Sequence, residues 1–186
     1  MMAIVDLVGD IVARASEAVK KVIADETVRE TGIFYQYGHL NDINNILKSY
    51  SNTAEYRAQK YPAVFLLQDF VETCVQSMTV EKQVNLQLLI VASSNRDYRA
   101  AERYEKVFKP VLYPVYDCLI GTIKRDKRLM LPYGDIEHTK IDRLLISGFQ
   151  IRTQTGQTGN LFADFLDAIE INNMKLIIKK MCNYGL

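Results

Sequence analysis

Four ionisable side chains between positions 135 and 142 come closest to a catalytic or metal-binding motif in this sequence. They are Asp135, Glu137, His138 and Asp142. One imidazole beside three carboxylates can bind a divalent metal or act as general acid and base. On a strand, however, adjacent residues such as Glu137 and His138 point to opposite faces. The pattern favours a polar loop and an edge strand, and a small metal-dependent hydrolase or nuclease using residues 135–142 is the alternative.

Other motifs that carry chemistry are missing from the sequence. It has no glycine-rich phosphate loop and no Gly-x-Ser-x-Gly nucleophile elbow. The three cysteines are too far apart for a zinc pattern or a disulfide framework. Asp164 and Asp167 have the spacing of two acids on one helix face, where we expect them to be solvated. We therefore expect no catalytic residues, no bound metal, no cofactor and no enzymatic activity.

Composition indicates a globular chain with nearly balanced charge. Of its 186 residues, 48% are hydrophobic and 24% are charged, which is enough apolar material for a core. The net charge of +1 argues against a dedicated nucleic-acid binder. Residues 1–93 hold 8 basic and 11 acidic side chains, whereas residues 94–186 hold 15 and 11. This asymmetry suits a head-to-tail contact between identical subunits, and chance explains it equally well.

Tyrosines are concentrated in one polar stretch of the chain. The chain has eleven tyrosines, and four of them lie between positions 35 and 56: Tyr35, Tyr37, Tyr50 and Tyr56. Tyrosine is favoured at protein interfaces because it combines a rigid apolar ring with a polar tip. A platform for nucleic acid would carry more interleaved Arg and Lys than this stretch has. We therefore predict that these four residues belong to a subunit interface.

The elements that position these residues form a single domain, 1–186, of the α+β class. Apolar residues at steps of three and four from Ile4 to Ile23 predict an amphipathic helix within residues 1–32. Residues 33–60 are predicted to be a long loop region, with a short strand at the aromatic cluster and a helical turn as options. Residues 61–186 form the α+β core.

Within the core, the pattern predicts a mainly antiparallel sheet flanked by helices. Strands are expected at 63–67, 74–78, 80–92, 142–147, 169–171 and 174–178, arranged most simply as a meander. A helix starting near a capping box at Ser94 and Asp97 should end near Phe108, because Pro110 disrupts a helix interior. A second helix is expected from Val111 to Lys124. Residues 149–160 are predicted to be an exposed loop.

Basic residues follow the second predicted helix directly. They are Lys124, Arg125, Lys127 and Arg128. Cations suit the negative end of a helix dipole, so a solvated helix end is the simplest interpretation. If the chain surrounds a nucleic acid, these four residues are the candidates to face it.

Three segments together resemble a known family. Lys60-Tyr61-Pro62-Ala63-Val64-Phe65-Leu66 leads into the first core strand. Ser94-Asn95-Arg96-Asp97-Tyr98 is followed by Glu102-Arg103-Tyr104, Phe108, Pro110 and Leu112-Tyr113-Pro114. Asn160-Leu161-Phe162-Ala163-Asp164 is followed by Asp167-Ala168-Ile169-Glu170-Ile171. Over residues 60–180 the chain resembles the tail-terminator and neck-ring proteins, or head–tail connectors, of tailed bacteriophages, including the crAss-like group.

This resemblance implies a structural virion protein with a tail-terminator-like sheet flanked by helices. Such subunits form hexameric or dodecameric rings at the portal–tail junction, which terminate the tail or join it to the portal. The implied partners are further copies of the chain, the portal, and neighbouring neck-ring and tail proteins, with double-stranded DNA passing non-specifically through the lumen. The implied location is the virion neck or tail, with assembly in the host cytoplasm and no membrane contact. A small adaptor domain is a further alternative.

Overall fold

Two long antiparallel strands from distant parts of the chain form the centre of the fold. They belong to a computed structural model that describes residues 3–52, 59–68, 70–74, 79–131, 134–144, 150–152, 158–160 and 164–180. The helices are α1 (Ile4–Val22), α2 (Glu26–Thr31), α3 (Leu40–Ser51), α4 (Ala100–Arg103) and α5 (Tyr113–Lys124), with a π-helical segment, Tyr104–Leu112, between the last two. The strands are β1 (Phe34–Gly38), β2 (Ala63–Leu67), β3 (Val71–Cys74), β4 (Val80–Ser93), β5 (Leu129–Met130), β6 (Thr139–Arg143), β7 (Gln150–Arg152), β8 (Thr158–Asn160) and β9 (Leu166–Lys179).

The main sheet is mostly antiparallel, as predicted, but it is curled and is not a meander. Its order is β1-β2-β4-β9-β5, with β3 also paired to β4 and β6 also paired to β9. Among the strands that the structure describes in this sheet, only β1 and β2 run parallel to each other. The predicted meander is wrong because β9, near the end of the chain, inserts beside β4. Strands β7 and β8 form a separate two-stranded sheet within the predicted loop 149–160.

The alternation predicted for β4 is confirmed. Val84, Leu86, Leu88 and Ile90 are buried in the larger core under α1 and the helical segment 100–124. On the opposite face Gln83, Asn85 and Gln87 are exposed. Further along the strand Leu89 and Val91 on this second face are buried under α3. Helices therefore cover one face of the sheet and only part of the other.

Helix α1 confirms the predicted amphipathic helix. Its inward side includes Ile11, Ala15 and Val19, each at most 1% exposed, and it packs on α5 and the first strands. Ser16 lies on the same side and accepts a hydrogen bond from the N–H of Ile33 at 2.8 Å. Gly32 must stay a glycine, because it has φ of 76° and a Cβ there would lie 2.2 Å from the Ser16 hydroxyl.

The prediction of a long loop over 33–60 is wrong for most of that range, whereas the two options given within it, a short strand and a helical turn, are confirmed. Residues 34–38 form β1 and residues 40–51 form α3, while 53–58 lie outside the described residues. Helix α3 is rich in Asn and Ser, which weakened the helical pattern. Its buried residues Ile43 and Leu47 pack in a second core with Phe65 of β2. Tertiary packing, not helix propensity, stabilises this helix.

The predicted break at Pro110 is also wrong, because the chain stays helical from Ala100 to Lys124. Residues 104–112 widen into a π-helix, in which the N–H of Tyr113 donates to the carbonyl of Phe108, five residues back. A wider turn accommodates a proline that would clash in a regular α-helix. The predicted capping box is displaced as well, since Glu102 accepts the N–H of Arg99 at 3.0 Å.

Near the chain's end, one strand replaces the two predicted at 169–171 and 174–178. Strand β9 is continuous, but its register with β4 shifts between the pairs Leu88–Ile171 and Leu86–Met174. Asn173 lies in this irregular region with φ of 54°. The strands predicted at 74–78 and 142–147 begin earlier, at Val71 and Thr139; residues 75–78 and 145–149 lie outside the described part.

A buried ion pair joins the helical segment to β9. Arg103 Nη1 lies 2.9 Å from Asp167 Oδ1, and both side chains are almost completely buried. The Ser94 hydroxyl donates to the other carboxylate oxygen at 2.5 Å. Asp167 was expected to be a solvated acid on a helix face; instead it is 0% exposed on a strand. That expectation failed because its partner lies 64 residues earlier in the sequence.

We expect Asp167→Ala to lower the free energy of unfolding by about 3 to 5 kcal/mol, because it leaves the buried Arg103 without its counter-charge. Glu105→Ala is the control, since it removes an exposed pair with Lys109 and should cost less than about 1 kcal/mol. Urea denaturation measures both. Equal effects of the two substitutions would contradict a structural role for the buried pair.

Candidate functional site

The acidic residues between 135 and 142 diverge toward different partners. Asp135 forms an ion pair with Lys124 at 2.7 Å, and Glu137 forms one with Lys175 at 3.0 Å. Asp142 accepts the Tyr113 hydroxyl at 2.7 Å and binds Lys140 at 2.8 Å. The hydrogen bond from Lys124 is the main cause that lowers the pKa of Asp135. These contacts tie β6 and the segment before it to the rest of the fold.

His138 is held by two hydrogen bonds within the chain. Its Nε2 lies 2.7 Å from the Tyr116 hydroxyl, and its Nδ1 lies 3.0 Å from the carbonyl of Ile136. Because that carbonyl can only accept, Nδ1 carries the proton and Nε2 accepts from Tyr116. Burial is the main cause that raises the pKa of Tyr116. In the part of the chain that the structure describes, no three His, Cys, Asp or Glu side chains are grouped to hold a metal.

We expect a chelator to leave the melting temperature of the protein unchanged. His138→Ala should lower stability by about 1 kcal/mol through its lost hydrogen bonds. His39→Ala, at an exposed position before α3, is the matched control and should have little effect. Stoichiometric metal that is lost in His138→Ala and kept in His39→Ala, measured by elemental analysis, would contradict this expectation.

The basic cluster after α5 divides into bound and exposed members. Arg128 donates to Asp126 from Nε and Nη2 and also binds Asp10 at 2.9 Å. Asp126 is buried and additionally contacts Arg14 of α1. Arg128 therefore fastens the end of α5 to α1, and it is not a free basic group for a channel.

The other three basic residues of the cluster are more exposed. Lys124 pairs with Asp135, and both side chains are at least 40% exposed. Arg125 and Lys127 are exposed and form no ion pair with the described residues. Of the four predicted channel-facing residues, these two therefore have charges that remain available to a partner.

Burial opposes the charge on Asp126, but hydrogen bonds from Arg128 and Arg14 outweigh it and hold the pKa at about 2. A lowered folded-state pKa contributes stability above the unfolded value, and this contribution is lost as pH falls through the folded value. Asp126→Asn should cost about 1.5 to 3 kcal/mol at neutral pH. The difference from wild type should shrink as pH falls from about 4 toward 2.

Urea denaturation at several pH values measures this difference. Asp97→Asn, at an exposed carboxylate, is the control and should show no comparable loss. A destabilisation by Asp126→Asn that stays constant down to pH 2 would show that the charge is not its cause.

The four tyrosines assigned to an interface have different environments. Tyr35 is half-buried: its ring lies against Gly9 of α1, and its hydroxyl donates to the carbonyl of Val5 at 3.0 Å. Tyr37, on the same strand, is 45% exposed. Tyr50 of α3 packs at 5.3 Å from the ring of Phe34. Tyr56 lies outside the described residues. The structure thus groups Tyr35 and Tyr37 at one sheet edge, where Tyr37 has surface to offer a partner.

A polar pocket of about 670 Å³ next to β2 was not predicted from the sequence. In its wall Lys60 Nζ lies 2.8 Å from the Ser51 hydroxyl and 2.6 Å from Asp164 Oδ2, which also accepts the Tyr61 hydroxyl at 2.9 Å. A lysine beside a serine can activate the hydroxyl when the amine is a neutral base. Here the amine is paired with a carboxylate, so the group joins the end of α3 to the residues just before β2 and just before β9.

The half-covered face of the sheet forms a shallow groove of about 780 Å³. Its floor includes Thr73, Gln83, Asn85 and Ile177, with Val71 at its edge, 67% exposed. The alternation in β4 was the sequence signal for this face. The sequence did not show whether a helix covers this face. In the structure α3 covers only one end of it.

A buried carboxylate on the same face is bound within the chain. Glu170 accepts hydrogen bonds from Arg143 at 2.7 Å, Asn172 at 2.9 Å and Gln87 at 3.1 Å. Burial opposes its charge, but these bonds outweigh burial and lower its pKa. Glu170 is therefore an internal link between β4, β6 and β9.

Comparison with known proteins adds no relative to this picture. No protein-family model matches the sequence, and no curated protein matches it. None of the helices in the described part of the chain has the length and apolar character that a membrane crossing needs. The site geometry is therefore the basis on which function is argued below.

Proposed function

We propose that this chain is a structural virion subunit that forms a ring at the portal–tail junction of a tailed phage. The ring would terminate or join the tail and surround the DNA channel. The observation that supports this most is the open sheet, which is covered by helices on one face and only partly on the other. Among the described residues this face exposes Val71 beside the polar side chains of Thr73, Gln83 and Asn85, and in this proposal a neighbouring subunit covers Val71.

The internal pairing of charges also favours an assembly role. Three groups of charged residues bind side chains of the same chain. They are the residues at 135–142, the pair Lys60–Asp164 and the carboxylate of Glu170. They link elements of the fold and do not converge on a common point where a substrate could react. This arrangement gives no support to the metal-dependent hydrolase considered as an alternative.

The near-neutral chain is compatible with a lumen through which DNA slides. Affinity for DNA grows with the number of phosphates that a protein neutralises, so a channel lined with few cations holds DNA weakly. Arg125 and Lys127 are the exposed candidates for such a lining. Ring partners in this proposal are further copies of the chain, the portal, and the adjacent neck-ring or tail proteins.

Native mass spectrometry and negative-stain electron microscopy test the proposal. We expect a closed hexamer or dodecamer whose abundance rises with protein concentration. Val71→Asp places a charge on the open sheet face and should reduce the ring, because desolvating an unpaired carboxylate at an interface is costly. Val22→Asp is the matched control, since Val22 is similarly exposed, at 64%, at the end of α1.

A chain that stays monomeric at every concentration and never joins phage particles would contradict the ring. If Val22→Asp reduced the ring as strongly as Val71→Asp, the open sheet face would not be the subunit contact.

A further inference from the structure

One edge of the main sheet presents backbone groups that do not pair with any strand among the described residues. Strand β1 is bonded to β2 through its alternate residues: the N–H of Phe34 donates to the carbonyl of Pro62 at 3.0 Å, and the carbonyl of Gly38 accepts the N–H of Gln68 at 3.2 Å. In this parallel register Phe34, Gln36 and Gly38 direct their backbone groups toward β2. The backbone groups of Tyr35 and Tyr37 therefore point away from the sheet.

No described strand occupies this outer side of β1. The carbonyl of Tyr37 accepts one hydrogen bond, from the side-chain amide of Gln36 at 2.9 Å. The N–H groups of Tyr35 and Tyr37 and the carbonyl of Tyr35 form no hydrogen bond to the described residues. Such a row of unpaired groups is a template for another strand.

The opposite side of the sheet is protected in a way that β1 is not. Its strand β6 carries Lys140, Asp142 and Arg143 among five residues. Charged side chains of this kind discourage pairing between edges. Strand β1 reads Phe-Tyr-Gln-Tyr-Gly and has neither a charge nor a proline. By this criterion the β1 edge is the less protected of the two against pairing with another strand.

We propose that β1 pairs antiparallel with β1 of a second copy of this chain, around a two-fold axis at Gln36. Because positions 35 and 37 are both tyrosine, this register sets a tyrosine opposite a tyrosine on each side of the axis, so the edge is complementary to a second copy of itself. In this register the outward N–H and C=O of Tyr35 meet the C=O and N–H of Tyr37 in the second copy. On the other side of the axis, Tyr37 of the first copy and Tyr35 of the second copy form the same two hydrogen bonds.

The side chains fit the same register. The rings of Tyr35 and Tyr37 already lie on one face, with centroids 6.4 Å apart, and the second copy extends them into a row. Cross-strand aromatic pairs stabilise antiparallel strands, and the exposed Tyr37 becomes covered. On the other face the two Gln36 amides lie opposite each other and can exchange hydrogen bonds.

This contact is independent of the proposed ring. A ring is built from head-to-tail contacts between different surfaces, whereas the β1 contact joins identical ones. Pairing of β1 with the β6 edge, or with a strand of another protein, is a different arrangement that the experiments below distinguish.

A disulfide at the two-fold axis tests the register. In a Cys74→Ser, Cys182→Ser background, Gln36→Cys places two thiols across a non-hydrogen-bonded pair, where Cα atoms lie about 4.5 Å apart and a disulfide can form. We expect rapid formation of a covalent dimer under mild oxidation. Tyr37→Cys is the control, because the two copies of residue 37 would lie more than about 7 Å apart and should not cross-link.

Charge reversal tests the contact without a cross-link. Gln36→Lys and Gln36→Glu each place like charges at the axis, so each variant alone should lose the dimer in analytical ultracentrifugation. An equimolar mixture should restore it, with circular dichroism confirming that both variants are folded. A wild-type monomer up to the solubility limit, a dimer that survives Gln36→Lys, or equal cross-linking of the two cysteine variants would each overturn the proposal.

Discussion

The buried pair between Arg103 and Asp167 is the interaction on which the rest of the structure depends. Two buried charges are costly unless their hydrogen-bonding capacity is filled. Arg103 fills all of its capacity: besides Asp167 and the Ser94 hydroxyl, it donates to the carbonyls of Asn95, Arg96 and Tyr98. One guanidinium thereby fixes the turn after β4, the start of the long helical segment and the first half of β9.

The three segments 60–66, 94–114 and 160–171 that stood out in the sequence surround this pair and one other. Ser94-Asn95-Arg96 and Tyr98 supply acceptors for Arg103, and the last segment supplies Asp167. The first segment supplies Lys60 and Tyr61, which bind Asp164. These residues therefore connect elements of the fold.

Local patterns in the sequence predicted the elements in which buried residues recur at one regular spacing. Helix α1 and strand β4 each have a clear apolar face, and both were predicted nearly to their ends. Helix α3 was predicted only as an optional helical turn, because its partner Phe65 lies elsewhere in the chain. The continuous helix through Pro110 was missed, because a π-helical turn accommodates the ring. The ion pairs of Asp164 and Asp167 join residues that local spacing cannot relate. The side-chain contacts of the candidate site were harder still to predict from the sequence, because Arg128 and Glu137 bind partners in distant elements.

The surfaces left over after folding determine how the subunit can associate. Many charged side chains pair within the chain, and those pairs include the buried ones at Arg103, Asp126 and Glu170. Among the described residues, the groups still able to form contacts are the outward backbone N–H and C=O groups of β1 and the amide and aliphatic side chains of the open sheet face. Contacts made there depend on main-chain hydrogen bonds and apolar burial, which salt screens much less than it screens exposed ion pairs. The two contacts proposed above would use these surfaces, one by continuing the sheet at β1 and the other by covering the open face, while the internal ion pairs hold the fold in the shape that makes both surfaces available.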